Sequence, residues 1–234
     1  MKNKTIEYIS ISRTVILERK ENILFSDINV FIKDPLPQEV SLSSVLRSVE
    51  RVIPKHLVRN IDAAYVGDFK HFQERDVNAA YMDGALYISN DQDDEQDMVD
   101  DIVHEIAHAA EEQYGTEIYG DGEAEREFLS KRKKLYDLLT AYGYKLNQTD
   151  FYNIDFNEDF DELLHQKIGY EKLEFFTMGL FLSNYSAASI REYFAIAFES
   201  MILGNPREVR SISPILYQKI NAVIYPEGDM SHGF

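Results

Sequence analysis

Asp94-Glu-Gln-Asp-Met-Val-Asp-Asp-Ile-Val-His104-Glu105-Ile-Ala-His108-Ala-Ala-Glu-Glu112 decides how this chain is read, because it holds two histidines four residues apart with a glutamate beside the first. At roughly 100° per residue, such histidines project about 40° apart on a helix, so both imidazoles reach one metal ion from the same face. This is the H-E-x-x-H spacing of zinc hydrolase helices, in which the glutamate holds the water rather than the metal. With His104 as origin, Asp97, Asp100, Asp101, His108, Glu111 and Glu112 fall within about 80° of it. Met98, Val99, Ile102, Ile106, Ala109 and Ala110 fall on the opposite side. An apolar stripe turned away from the ligands sets this match apart from a solvated acidic helix that happens to carry two histidines.

The surroundings fit one substantial domain. The chain has 234 residues, 44% of them hydrophobic, and no cysteine. Thiolate metal ligands and a disulfide framework are thereby excluded, and any metal site must use His and carboxylate. No stretch approaches the ~18 uncharged apolar residues of a membrane span, and the start, Met-Lys-Asn-Lys-Thr-Ile-Glu, runs into Arg13, Glu18 and Arg19. A cytoplasmic protein is expected. A net charge of −17 argues against nucleic-acid and anionic-membrane partners, which need clustered Lys and Arg. The acidic surface leaves a protein partner open. The one basic run, Lys131-Arg-Lys-Lys134, reads as the polar side of a helix.

Outward from the motif, periodicity predicts strands within 5–18, over 28–32 and over 60–66, and a helix over 41–53 that Pro54 ends. Asn78 to Ser89 reads as a hairpin with Asp83-Gly84 as its two-residue turn. If the Ala85 to Ser89 strand lies at the sheet edge, its open backbone groups could hold an extended peptide. Downstream, a helix is expected over 123–139, then an irregular aromatic and acidic loop over 147–161, and further helix to Phe181. Helices over 189–203 and 214–223 close the chain. The fold class is α+β, a small twisted sheet on the H-E-x-x-H helix followed by a mainly helical part. The whole of 1–234 is read as one domain, with 1–26 an N-terminal strand extension and 114–184 an insertion. Both ends of that insertion are tied to the site, which predicts a lid built around Phe151 to Phe160.

Two histidines leave a catalytic zinc one protein ligand short. The metzincin solution is excluded, since Glu111 stands where the glycine belongs and Tyr114 where the third histidine belongs. Glu111, Glu112, Glu123, Glu125, Glu127, Glu192 and Glu199 remain as carboxylate candidates.

The stretch Asn184-Tyr185-Ser-Ala-Ala-Ser-Ile-Arg-Glu192-Tyr-Phe-Ala-Ile-Ala-Phe198 resembles the late helix of the lethal-factor-like zinc peptidases, the gluzincin group of anthrax lethal factor and the Pro-Pro endopeptidases. Pro214 to Ile224 looks like that family's last helix, and the likeness extends over roughly 27–113 and 184–224. The resemblance implies a zincin-like metallopeptidase with one zinc per chain held by His104, His108 and Glu192. Glu105 would then be the general base, and Tyr185 would lie close to the substrate carbonyl. Ile196 departs from the pattern, which has a second glutamate there. Ser189-Ile-Arg-Glu192 is also a capping box, which gives Glu192 a purely structural use. The activity implied is zinc-dependent hydrolysis of a protein or peptide substrate. The alternative is a catalytically weak or inactive metal-binding zincin fold that serves as a protein-binding or assembly module.

Overall fold

The computed structural model describes residues 23–25, 27–70, 72 and 77–226. The chain is α+β and mostly helical, and it divides into two compact units, Met1–Ala109 and Ala110–Phe234. The division falls inside the motif helix. The strands expected within 5–18 lie outside the described residues.

The first unit is built on a mixed sheet in the order β1-β2-β3-β5-β4, with β1 Ile23–Phe25, β2 Ile28–Ile32, β3 Ala63–Val66, β4 Ala79–Met82 and β5 Ala85–Ile88. Strands β2, β3 and β5 run parallel, and β1 and β4 join the edges antiparallel. Asp83 and Gly84 both take positive φ, 50° and 75°, as a primed two-residue turn between β4 and β5 requires. Because strand side chains alternate, register sorts the two faces. Phe31, Tyr65 and Tyr87 stack across β2, β3 and β5 at 5.4 and 5.3 Å, and Phe69 closes edge-on over Tyr87. Val30, Ala64, Val66, Leu86 and Ile88 point the other way and are buried. Two apolar stripes of the same unit are equally buried. They are Val45, Leu46 and Val49 of α1, Leu42–Val52, and Met98, Val99, Ile102, Val103 and Ile106 of α2, Glu95–Tyr119. At about 1.5–3 kcal/mol for each large side chain taken from water, this burial is what fixes the unit.

The sequence reading left open whether the Ala85 strand is an edge. Here β5 is interior, paired on both sides, and β4 is the edge strand. A hairpin with a two-residue turn makes Met82 and Ala80 pair with β5, so the backbone groups of Tyr81 and Ala79 face outward.

The second unit is helical. It comprises the end of α2, α3 Glu123–Ala141, a 3-10 turn Gln148–Tyr152, α4 Glu158–Glu162, a π turn Leu163–Gly169, α5 Tyr170–Thr177, α6 Ile190–Ile202, α7 Pro206–Ile212 and α8 Pro214–Ile224. Helix α3 is its hub, and the basic run contributes from the inside. Lys131 Nζ donates to Leu180 O and Ile212 O at 2.7 Å, and Glu127 accepts from the amides of Ile215 and Leu216 at the start of α8. Arg132 has no exposed surface. Its guanidinium donates to Asp150 O and Asn153 O at 3.0 Å and to Ala188 O at 2.7 Å, beneath the Phe160 ring at 4.1 Å. The run was expected to be a solvated face, yet half of it is core. Its partners are backbone carbonyls of irregular segments, which sequence periodicity does not register.

The segment expected to be a lid is held at both ends. Phe151 is 1% and Phe160 4% exposed, and Phe151 meets Phe160 and Tyr136 edge-on. Phe151 and Phe160 thus anchor the two ends of the segment in the core of the second unit, while Tyr152 and Phe156 between them stay about half exposed.

Candidate metal centre

Helix α2 opens with Asp94, whose Oδ1 accepts from the amides of Gln96 and Asp97 at 2.6 and 3.0 Å. Glu95 and Asp97 in its first turn complement the helix dipole. Regular helix then runs through the motif as far as Tyr114, where φ −113° and ψ 20° mark a kink. On this rigid stretch the donor atoms of His104, Glu105 and His108 lie within 4.8 Å of one another. The two imidazoles sit 5.1 Å apart, centre to centre, with their planes at 81°. His108 is 7% and Glu105 9% exposed and His104 is half-buried, whereas Asp97 and Glu112 of the same helix are exposed.

Glu105 is held from outside its own helix. The outward amide of Tyr81 on edge strand β4 donates to Glu105 Oε2 at 2.6 Å. Sequence reasoning missed this partner, because the donor is a backbone group whose direction depends on strand register. A second unforeseen group is Asp101, one turn before His104. Its Oδ2 accepts from Gln92 Nε2 at 3.2 Å, and the same nitrogen donates to Ser89 O at the end of β5. Burial raises the Asp101 carboxyl to about 6, the charge of Glu105 adds to this, and the Gln92 bond and His104 oppose it.

The other two expected site residues belong to the second unit. Glu192 is in the first turn of α6, half-buried, and its amide donates to Ser189 Oγ at 3.1 Å, so the serine half of the capping box is present. Tyr185 opens a 3-10 turn, Tyr185–Ala187, with its ring 5.6 Å from that of His165. His165 Nδ1 lies in turn 2.7 Å from Asp161 Oδ1. Of the remaining carboxylate candidates, Glu127 is committed to α8, and Glu111 accepts from Tyr119 Oη at 2.5 Å and Arg191 Nε at 3.0 Å. Burial, together with the charge of Glu111, pushes the Tyr119 phenol well above its ordinary range. Arg191 immediately precedes Glu192, so the start of α6 is tied to the last part of α2 within this unit.

Comparison with family models, curated proteins and solved structures finds no match to the chain. The site therefore stands on its own geometry. Two imidazoles and a carboxylate, converging on a partly buried face with no thiol in the chain, suit a divalent cation of zinc's preferences. Among the described residues this is the one group of three or more His, Asp or Glu donors in such reach. No described helix is long and apolar enough to cross a membrane.

Proposed function

We propose that the protein is a zinc-dependent endopeptidase of the zincin type, in which His104, His108 and Glu192 hold one zinc ion and Glu105 is the general base. The observation that carries this reading is the convergence of the His104, Glu105 and His108 donors within 4.8 Å, with Glu105 anchored by the Tyr81 amide. Glu192 is chosen for its place in the stretch that resembles the lethal-factor-like peptidases. That Glu111 and Glu127 are bound elsewhere supports the choice.

Zinc, when bound, supplies a Lewis acid that polarises a carbonyl and brings the pKa of water from about 15.7 toward about 7. The remaining steps belong to the chain. Apart from the Tyr81 amide, which Glu105 takes, the outward backbone groups of edge strand β4 face the side on which an extended peptide would add, and Glu105 sits at that edge. Glu105 takes the water's proton through its free lone pairs and passes it to the leaving amine. The Tyr81 amide steadies the carboxylate while it does so. Tyr185 donates its hydroxyl proton toward the carbonyl oxygen as negative charge grows there, a kind of contact worth about 2.7–4 kcal/mol in proteases.

The test is metal analysis of the purified full chain followed by digestion of a peptide library. One zinc per chain with library cleavage supports the reading. A protein that takes up no zinc ends it, and a zinc-loaded protein that cleaves nothing favours the binding module instead.

A further inference from the structure

Imidazole ligands of a metal almost always donate their second N–H to a carboxylate or carbonyl, which fixes the ring and its tautomer. We propose that Asp101 is the positioning residue for His104, held in place by Gln92, so that the motif helix carries its own outer carboxylate. This rests on the zinc reading above and adds to it a residue outside the H-E-x-x-H pattern.

Three features carry the inference. Asp101 is one turn before His104 on uninterrupted helix, and residues three apart are neighbours on one helix face, with Cβ atoms about 5–6 Å apart. Helical side chains also lean toward the N-terminus, which carries the His104 ring back over Asp101. Next, Asp101 is not left to find its own rotamer. Gln92 is 6% exposed, and its amide nitrogen bridges Asp101 Oδ2 and Ser89 O, so the backbone just after β5 helps set where the carboxylate points. Lastly, the placement is a poor one for stability alone. A half-buried carboxylate whose donor here is the neutral Gln92 amide, on a helix that already carries Asp97, Asp100 and Glu105, adds like charge that an asparagine would not. A group retained at such a cost fits a role that appears when the dication arrives and attracts it.

Zinc affinity of the full chain, measured by competition with a chromophoric chelator, together with the melting temperature of the metal-free protein, tests this. Asp101→Ala is expected to weaken zinc binding about 10–100-fold, and Gln92→Ala by a smaller factor. The metal-free Asp101→Ala and Asp101→Asn proteins are expected to melt no lower than wild type. Asp101→Asn, whose amide oxygen still accepts an N–H, should recover part of the lost affinity. Zinc affinity within twofold of wild type in Asp101→Ala overturns the proposal. So does a loss of affinity matched by a fall in metal-free melting temperature, because that pattern describes a structural residue. Wild-type protein that binds no zinc would instead overturn the metal site itself, an outcome separate from either of these.

Discussion

Glu105 is the residue on which the two functional readings part, since a binding module needs the histidines but not a base. Glu105→Gln keeps the shape and the hydrogen bond from Tyr81 but cannot accept the water's proton. It is expected to retain a full complement of zinc while turnover of a cleaved peptide falls about 10²–10⁴-fold. His108→Ala should lose both metal and turnover, and metal analysis beside the kinetic assay separates the two. Lys131 makes a residue-scale prediction that does not depend on any metal. Burial lowers its ammonium from 10.5 to about 8 in the folded protein. Between those values the unfolded chain binds more protons than the folded one, so stability rises with pH. Measured against Lys131→Met by urea unfolding, wild type should gain on the order of 2 kcal/mol as pH goes from 8 to 10.5. A difference that stays flat across that range would show that the folded amine titrates like that of the unfolded chain and remains charged and solvated. The motif residues are legible in sequence because their chemistry depends on i, i+1 and i+4 spacing within one helix. Tyr81 and Gln92 are not, because each acts across the chain through a hydrogen bond.

Among the elements, α1, the β4–β5 hairpin, α2, α6 and α8 were all foreseeable, each marked by periodicity and a clear punctuation: Pro54, Asp83-Gly84, Ser189, Pro214. Helix α7 was not anticipated. Gly204 and Pro206 read as stops, whereas Asn205 accepts from the Arg207 amide at 3.2 Å as a cap and Pro206 takes the first helical position. The same residue types that end one helix begin the next. The segment 147–161 is hard to read for a related reason, since its aromatics carry no period to tell the buried Phe151 and Phe160 from the exposed Tyr152 and Phe156. With Arg132 bonded to Asp150, Asn153 and Ala188, Arg132→Ala strands one buried and two part-buried carbonyls and empties a buried side-chain site. The expected cost is roughly 3 kcal/mol or more, read as a fall in the urea midpoint with zinc content unchanged. Trimming 147–161 should likewise destabilise the protein, because it removes the buried Phe151 and Phe160. The edge strand gives a sharper probe. Tyr81 does not use its amide within the sheet, so Tyr81→Pro removes the hydrogen bond to Glu105 while sparing the β4–β5 ladder. Turnover should drop with zinc retained, and an unchanged rate would remove the Tyr81 amide from the catalytic account.

For the molecule as a whole, the decisive quantity is the coupling between metal and folding. The net charge of −17 sets a background of self-repulsion that any bound cation, specific or not, relieves to some degree. A stabilising effect of zinc by itself would therefore prove little. A His, His, carboxylate site makes a more selective demand: zinc, which accepts imidazole, should stabilise at low concentration, whereas magnesium and calcium, which prefer oxygen ligands, should not reproduce the effect at the same ionic strength. Zinc at about 100 times its dissociation constant adds about 2.7 kcal/mol to the folded state by mass action. At about 2–4 °C per kcal/mol for chains of this size, the melting temperature should rise by roughly 5–10 °C. Glu105→Gln should keep that rise, since Glu105 is not assigned as a ligand, and His104→Ala and His108→Ala should abolish it. Thermal melts of the four proteins with and without each cation decide the matter. An equal shift with magnesium, or a zinc shift that survives His108→Ala, would assign the stabilisation to surface charge and leave the H-E-x-x-H face of α2 without its metal.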